Sequence, residues 1–270
     1  MLHLLQLEWK KLAHNRLFRI SISLYVLLTP LLYFTIRAMM NPKEGSPQAI
    51  LFRPFYVFPD LWETTAYWTS WLTYFLLTYL SVWMVTSEYD NRTLRQNIIT
   101  GISRLAMFAS KVLMLLLLAL GATVYLMGVT CIIGWWEGGY GYWWGTESLA
   151  LVRFFVQTVF YMSFAFMLAI LFRKSGLAMI IFFAYLAIIE RVIRYLIFGE
   201  LLLNNLKAGS YFPGSAAWDV LPLYLVKRIP DFDQGMLEIL LSLEVATGLT
   251  ILYTLIFLGI AYRVFAKRDL

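Results

Sequence analysis

A chain of 270 residues could hold one or two soluble domains, but 61% of it is hydrophobic and 17% aromatic, with a mean hydropathy of +0.71. That is more apolar surface than a globular fold can bury, so the composition excludes a soluble enzyme or binding module and indicates an integral membrane protein. The net charge of +6 does not point to nucleic acid, because the basic residues fall in short clusters beside apolar runs, where they orient a membrane protein.

Leu2, Leu5, Trp9, Leu12 and Ala13 recur at helical spacing opposite Gln6, Glu8, Lys10, Lys11 and His14. The pattern predicts an amphipathic helix over about 2–16, lying in the membrane interface. A first span follows over about 18–36, with Pro30 as a candidate kink. Mixed polar and apolar residues precede this run and no small-residue cleavage site follows it, so the first span is expected to stay in the mature protein. From Arg37 to about Thr65, Pro42, Pro47, Pro54 and Pro59 alternate with Phe52, Phe55, Tyr56 and Phe58, which describes an external loop resting on the membrane surface. The second span, about 66–86, enters with the interfacial aromatics Tyr67, Trp68 and Trp71.

The longest polar segment between two apolar runs comes next, Glu88 to Lys111. Asp90 or Asn91 can cap a short helix there, and Leu94, Ile98 and Ile99 give it an apolar stripe. Gly101 can supply the left-handed residue that ends it, and Ser103 can cap the helix that re-enters the bilayer. A helix of about nine residues is only about 13 Å long. It cannot span a bilayer and is marginal alone in water, so it needs something to dock against. The competing reading is a solvated basic loop that serves orientation only.

The third span, about 112–133, carries no charge and ends in an aromatic and glycine-rich stretch from Trp135 to Trp144. An aromatic belt at the headgroup layer explains that stretch better than a sugar-binding platform. Cys131, the single cysteine, lies in this span, so neither an intrachain disulfide nor a cysteine metal cluster can form. The fourth span, about 148–172, turns at Arg173-Lys174-Ser175-Gly176 into the fifth, about 177–198. The fifth holds Glu190, Arg191 and Arg194, with Glu190 about 20 Å from its inner end. Glu190 and Arg194 share a helix face and can pair. Together with Arg153 and Glu244 they form an outer-half cluster with two readings, a polar station on a substrate path or ion pairs tying spans together; the ion-pair reading is preferred. Pro213, Pro222 and Pro230 break residues 199–240 into short pieces, of which Trp218 to Val226 is apolar enough to dip back into the bilayer. The last span covers about 240–264.

Placing the N-terminus inside puts Lys10, Lys11, Arg16, Arg19, Arg92, Arg95, Arg104, Lys111, Arg173, Lys174, Arg263, Lys267 and Arg268 in the cytoplasm, against only Glu8, Glu88, Asp90 and Asp269. Six spans with both termini inside therefore satisfy the positive-inside rule. The chemistry is sparse. The two histidines, His3 and His14, are both in the first helix, so no histidine metal set or proton shuttle can be built within a span. Gly209 and Gly214 have P-loop spacing, but Ser215 stands where the lysine must be, and no other nucleotide-binding motif occurs.

The order Glu88, Asn91-Arg92-Thr93-Leu94, Gly101, Ser103-Arg104 and Lys111 resembles the first cytoplasmic loop of type-2 ATP-binding-cassette (ABC) transporter permeases. The closing Phe265-Ala-Lys-Arg-Asp-Leu270 resembles that family's ending. The resemblance implies an all-α, single-domain, six-span permease over residues 1–270, with an N-terminal elbow helix, a short cytoplasmic coupling helix, and short external or re-entrant helices between spans five and six. It implies that Glu88, Asn91, Arg92, Thr93, Leu94, Arg95, Ile98, Ile99, Gly101 and Arg104 couple to a separate ATPase subunit, which binds ATP and Mg while this chain binds no cofactor and is not itself an enzyme. The implied partners are that ATPase, a second identical or related permease and membrane lipids, and the implied location is a prokaryotic plasma membrane. Rival readings are a lipid-modifying membrane enzyme using Glu190 and its arginines, and a secondary transporter; the missing nucleophile set and the missing internal repeat count against them.

Overall fold

The computed structural model describes residues 2–39, 57–91, 93–99, 101–137, 145–201, 206–222 and 240–267. The expected loop over 40–56, the aromatic stretch 138–144 and the mixed segment 223–239 lie outside the described residues, as does the basic ending from Arg268. All regular structure among the described residues is helical. Helix α1 is Leu2–His14, and α2 is Arg16–Met39 with Pro30 inside it. Helix α3 is built from three contiguous pieces, Leu61–Leu72, a π turn Thr73–Leu77, and Thr78–Asp90. A short helix, α4, Thr93–Ile99, leads to the long α5, Arg104–Trp136. A 3₁₀ turn, Thr146–Leu149, opens α6, Ala150–Phe172. Helix α7 starts at Ser175 and runs to Leu201, with π turns at Ala184–Ile189 and Arg194–Leu201. Then come a 3₁₀ turn Leu206–Tyr211, the short α8, Pro213–Asp219, and α9, Leu243–Lys267.

Five of these segments are long and apolar enough to cross a membrane: Arg16–Thr35, Arg104–Trp136, Glu147–Phe172, Ser175–Phe198 and Leu243–Lys267. Helix α3, expected as a span, is long enough but too rich in hydroxyls to join them. Thr64, Thr65, Thr69, Ser70, Thr73, Thr78, Ser81 and Thr86 are all buried. Seven of these hydroxyls donate to backbone carbonyls of the same helix or its cap, Thr65 to Leu61 O at 2.8 Å and Thr86 to Val82 O at 3.1 Å among them. Thr78 reaches Thr73 O, five residues back, at the π turn. Thr65 also meets the Thr130 hydroxyl of α5 at 2.8 Å. A helix whose polar groups are satisfied this way can sit inside a bundle, where small hydroxyl residues allow close approach, rather than against lipid.

The centre of the bundle is α6, 83% of whose apolar window is buried, against 22–33% for the other four. It packs on α3, α5, α7 and α9, with Phe160 and Phe164 meeting Phe257 at 5.7 and 4.7 Å between ring centroids. The turn after it behaves as expected: Arg173 takes a left-handed φ of 56°, Lys174 is extended, and α7 begins at Ser175. Ion pairs mark the two ends. Glu8, Lys11, Glu88 and Lys111 meet at one end, while Arg37 pairs with Glu137 and Arg153 with Glu63, at 3.2 Å, at the far end. Each pair joins helix ends that an up-and-down order of α2, α3, α5 and α6 brings to the same side.

Candidate functional site

The first site is at the end that carries α1. Glu88, on the last turn of α3, is 6% exposed and receives Lys11 of α1 at 3.0 Å and Lys111 of α5 at 2.7 Å. Glu8, expected on the polar face of α1, is instead turned inward, 8% exposed, with Lys111 at 3.4 Å and Lys11 at 3.8 Å. Two carboxylates and two ammonium groups make a neutral knot joining three helices that are far apart in sequence. Glu8, Glu88 and Lys111 are buried while Lys11 reaches in from an exposed position, and near-neutrality is what lets the three be buried, since removing one member leaves an uncompensated charge. Burial alone pushes the Glu88 carboxyl up, but Lys111 and Lys11 outweigh it and hold the group below the usual carboxylate range. For Lys11 burial works against the charge, and Glu88 and Glu8 more than offset it, so its ammonium is held above the ordinary lysine value.

Helix α4 is suspended between the two arms of this knot, beginning five residues after Glu88 and ending twelve before Lys111. It is seven residues long. Of the two residues expected to cap it, Asp90 is the last residue of α3 and Asn91 closes that helix, its side-chain amide donating to Ser87 O at 2.8 Å, because the helix before outcompetes the short one for the side chain. Thr93 donates back to Glu88 O at 3.5 Å. Gly101 has a φ of 89°, the left-handed geometry expected of it, and Ser103 caps α5 by accepting from Ala106 N at 3.2 Å. The apolar stripe divides: Leu94 is buried against the body while Ile99 is 78% exposed. Arg92 lies outside the described residues, as do the side chains of Arg95 and Ile98. Arg104 donates to Ala266 O at 2.6 Å, a cation on the C-terminal carbonyls of α9. Arg173 lies over the Tyr89 ring at 5.1 Å, tying the α6–α7 turn to the same end. Helix α5 starts about two turns before the apolar run predicted as its span.

The second site is nearer the far end, and the expected five-residue cluster comes apart there. Arg153 goes to Glu63, a partner the sequence reading did not foresee. Glu190 does not pair with Arg194. Its carboxylate, 2% exposed, accepts from Gly214 N at 2.9 Å and from Ser215 N, satisfying the first free amides of α8. Pro213 at the first helical position has no amide to satisfy, and a side chain on Gly214 would meet Glu190 Oε2 at 2.6 Å. Arg194 donates to Ser210 Oγ at 2.7 Å. Arg191 lies 5.8 Å from the Trp218 ring centroid and is exposed. Glu244 is exposed in the first turn of α9 and joins none of these groups. Between α3, α7 and α8 a cleft of about 500 Å³ is lined by Trp71, Tyr74, Phe75, Phe183, Ala187, Arg191 and Trp218, with Trp71 and Trp218 rings 4.7 Å apart. It borders both π turns that interrupt α3 and the middle of α7, where an extra residue re-aims side chains.

Long apolar helices, charges confined mainly to the two ends and a polar helix in the interior define a multi-pass membrane protein. The sequence model described as ABC-2 family transporter protein matches residues 4–189, more than half of the chain, and the chain belongs to that family of ABC transporter permeases. No curated protein matches it significantly.

Proposed function

We propose that this chain is the transmembrane subunit of an ABC exporter, coupling ATP hydrolysis by a separate ATPase subunit to outward movement of a substrate. Helix α3 is the sixth crossing, shielded by its neighbours. The end carrying α1 is cytoplasmic, α1 is the elbow helix, and both termini lie inside a prokaryotic plasma membrane. ATP and Mg belong to the partner, and this chain is a permease rather than an enzyme. It works with a second permease, identical or related, because six helices enclose little space for a substrate.

The observation that carries this reading is the suspension of α4, with buried Leu94 on one side and exposed Ile99 on the other, above the charge knot of Glu8, Lys11, Glu88 and Lys111. A push on α4 reaches α1, α3 and α5 together, because a buried ion pair tolerates little change of geometry. Closure of an ATPase dimer would supply that push. The Arg104 contact with α9 and the Arg173 contact with Tyr89 carry it to the remaining spans. The enzyme and secondary-transporter readings lose their key group, since Glu190 is occupied by two backbone amides.

Purification of the tagged chain from its native membrane tests the reading. Stoichiometric retention of a subunit with a P-loop and ATP-hydrolysing activity is expected. A chain that is active alone, with no such subunit, would overturn the proposal.

A further inference from the structure

We infer that the aromatic cleft between α3, α7 and α8 is a binding site for a single-chain amphiphile with an anionic head, taken from the leaflet at the far end of the bundle. The inference rests on the permease reading and names the substrate class for which the path is built.

Three observations carry it. The walls are aromatic: Tyr74 is buried at the back, its ring within 6.0 Å of Trp218 and 5.3 Å of Phe183. Broad aromatic faces accept an acyl or ring body without demanding one shape. The single charged lining group is Arg191, and among the described residues no carboxylate lies within ion-pair distance of it. Its sequence neighbour Glu190 is taken up by Gly214 and Ser215, so among the described residues the cleft presents a positive charge with no carboxylate beside it. A guanidinium held against a tryptophan ring still offers its N–H edge to an anion, and Arg suits phosphate, sulfate or carboxylate heads. The mouth is greasy. Phe75 is 49% exposed, Ala187 is exposed, and Ile188 beside it is 61% exposed, so the opening faces lipid rather than water. Along α7, Arg191 is about 24 Å from the Ser175 end, within the far leaflet of a hydrocarbon core about 30 Å thick and in reach of its headgroup boundary for a long side chain. A cleft of about 500 Å³ is in the range that holds one ligand of that size.

The test uses the purified permease with its ATPase in a neutral maltoside detergent, titrated with a terminally brominated dodecyl phosphate and with the matching trimethylammonium compound. Bromine quenches nearby indoles. Saturable quenching by the phosphate is expected, lost in part in Trp218→Phe, weakened about tenfold or more in Arg191→Gln and largely kept in Arg191→Lys, as a charge-assisted contact requires. Arg191 is exposed, so both variants should fold, and size-exclusion profiles check this. Equal affinity for the cationic compound, or an unchanged response in Arg191→Gln, would overturn the inference. So would absent quenching with Ala187→Cys disulfides joining two permeases, which would mean that a second copy fills the cleft. Loss of the ATPase with quenching intact would sink the permease reading alone; failed quenching with the ATPase still bound would sink this inference alone.

Discussion

Two carboxylates, Glu88 and Glu190, are buried to nearly the same degree, 6% and 2% exposed, and are neutralised in opposite ways. Glu88 is met by two full cations from helices on either side in sequence. Glu190 is met by two backbone amides at the start of a seven-residue helix. Cations bind distant elements into one body, and backbone amides fix the place of a local segment. The first arrangement suits the end that must receive and pass on a force. The second sets α8, and with it Trp218, against the cleft, and leaves Arg191 without a carboxylate partner among the described residues.

The contrast can be broken at either carboxylate. Glu88→Gln leaves Lys111, which is 2% exposed, and Lys11 with Glu8 as their one shared carboxylate in the knot, and should cost about 3 kcal/mol, the range for breaking a buried pair, read as a lower unfolding temperature of the detergent-solubilised complex. The Glu88→Gln, Lys111→Met double variant should recover part of that loss, showing that the stranded charge, not the lost contact, dominates. Glu190→Ala should cost less, about 2 kcal/mol for two amides left unsatisfied, with a change in Trp218 emission that Glu88→Gln does not give.

Acidity sharpens the comparison. Because the Glu88 carboxyl is held below its ordinary value, its stabilisation is full above the unfolded carboxylate pKa and fades as pH falls through the lowered folded one. Lys11 is held above its ordinary value, so its share is full below the unfolded lysine pKa and fades as pH rises through the raised folded one. Wild type should therefore lose stability toward both extremes, and Glu88→Gln should flatten the acid limb, as followed by thermal unfolding against pH. The smallest stability change is expected at Ile99→Asp, within about 0.5 kcal/mol for a surface position, yet this variant should lose ATPase stimulation.

Much of the fold was legible because a bilayer imposes a simple length rule. The first, third, fourth, fifth and last spans fall where apolar runs of about 20 residues placed them. Gly101, Ser103 and the Arg173 turn were readable from local turn chemistry. The charge knot was not, because Glu8 and Lys111 are 103 residues apart and Lys11 and Glu88 are 77 apart, and no periodicity reports such pairs. Glu8, placed on the polar face of α1 by spacing, turned inward because Lys111 compensates it. A usable signal did exist: opposite charges at matching depth on different spans, Glu63 on the second with Arg153 on the fourth, and Glu88 after the second with Lys111 before the third. The Glu190–Arg194 pairing failed for a different reason. Helical spacing offered the arginine, but the amides of Gly214 and Ser215 reached the carboxylate, and a π turn starting at Arg194 re-aimed the partner toward Ser210.

The most direct measurement is photo-cross-linking from position 99. A photoreactive residue replacing the exposed Ile99, activated in intact membranes, should form an adduct with an ATP-hydrolysing subunit, and the yield should change when a non-hydrolysable nucleotide locks that subunit. Adducts with lipid alone, or modification of position 99 by an impermeant reagent added from outside the cell, would contradict the assignment of α4 as the element the ATPase grips.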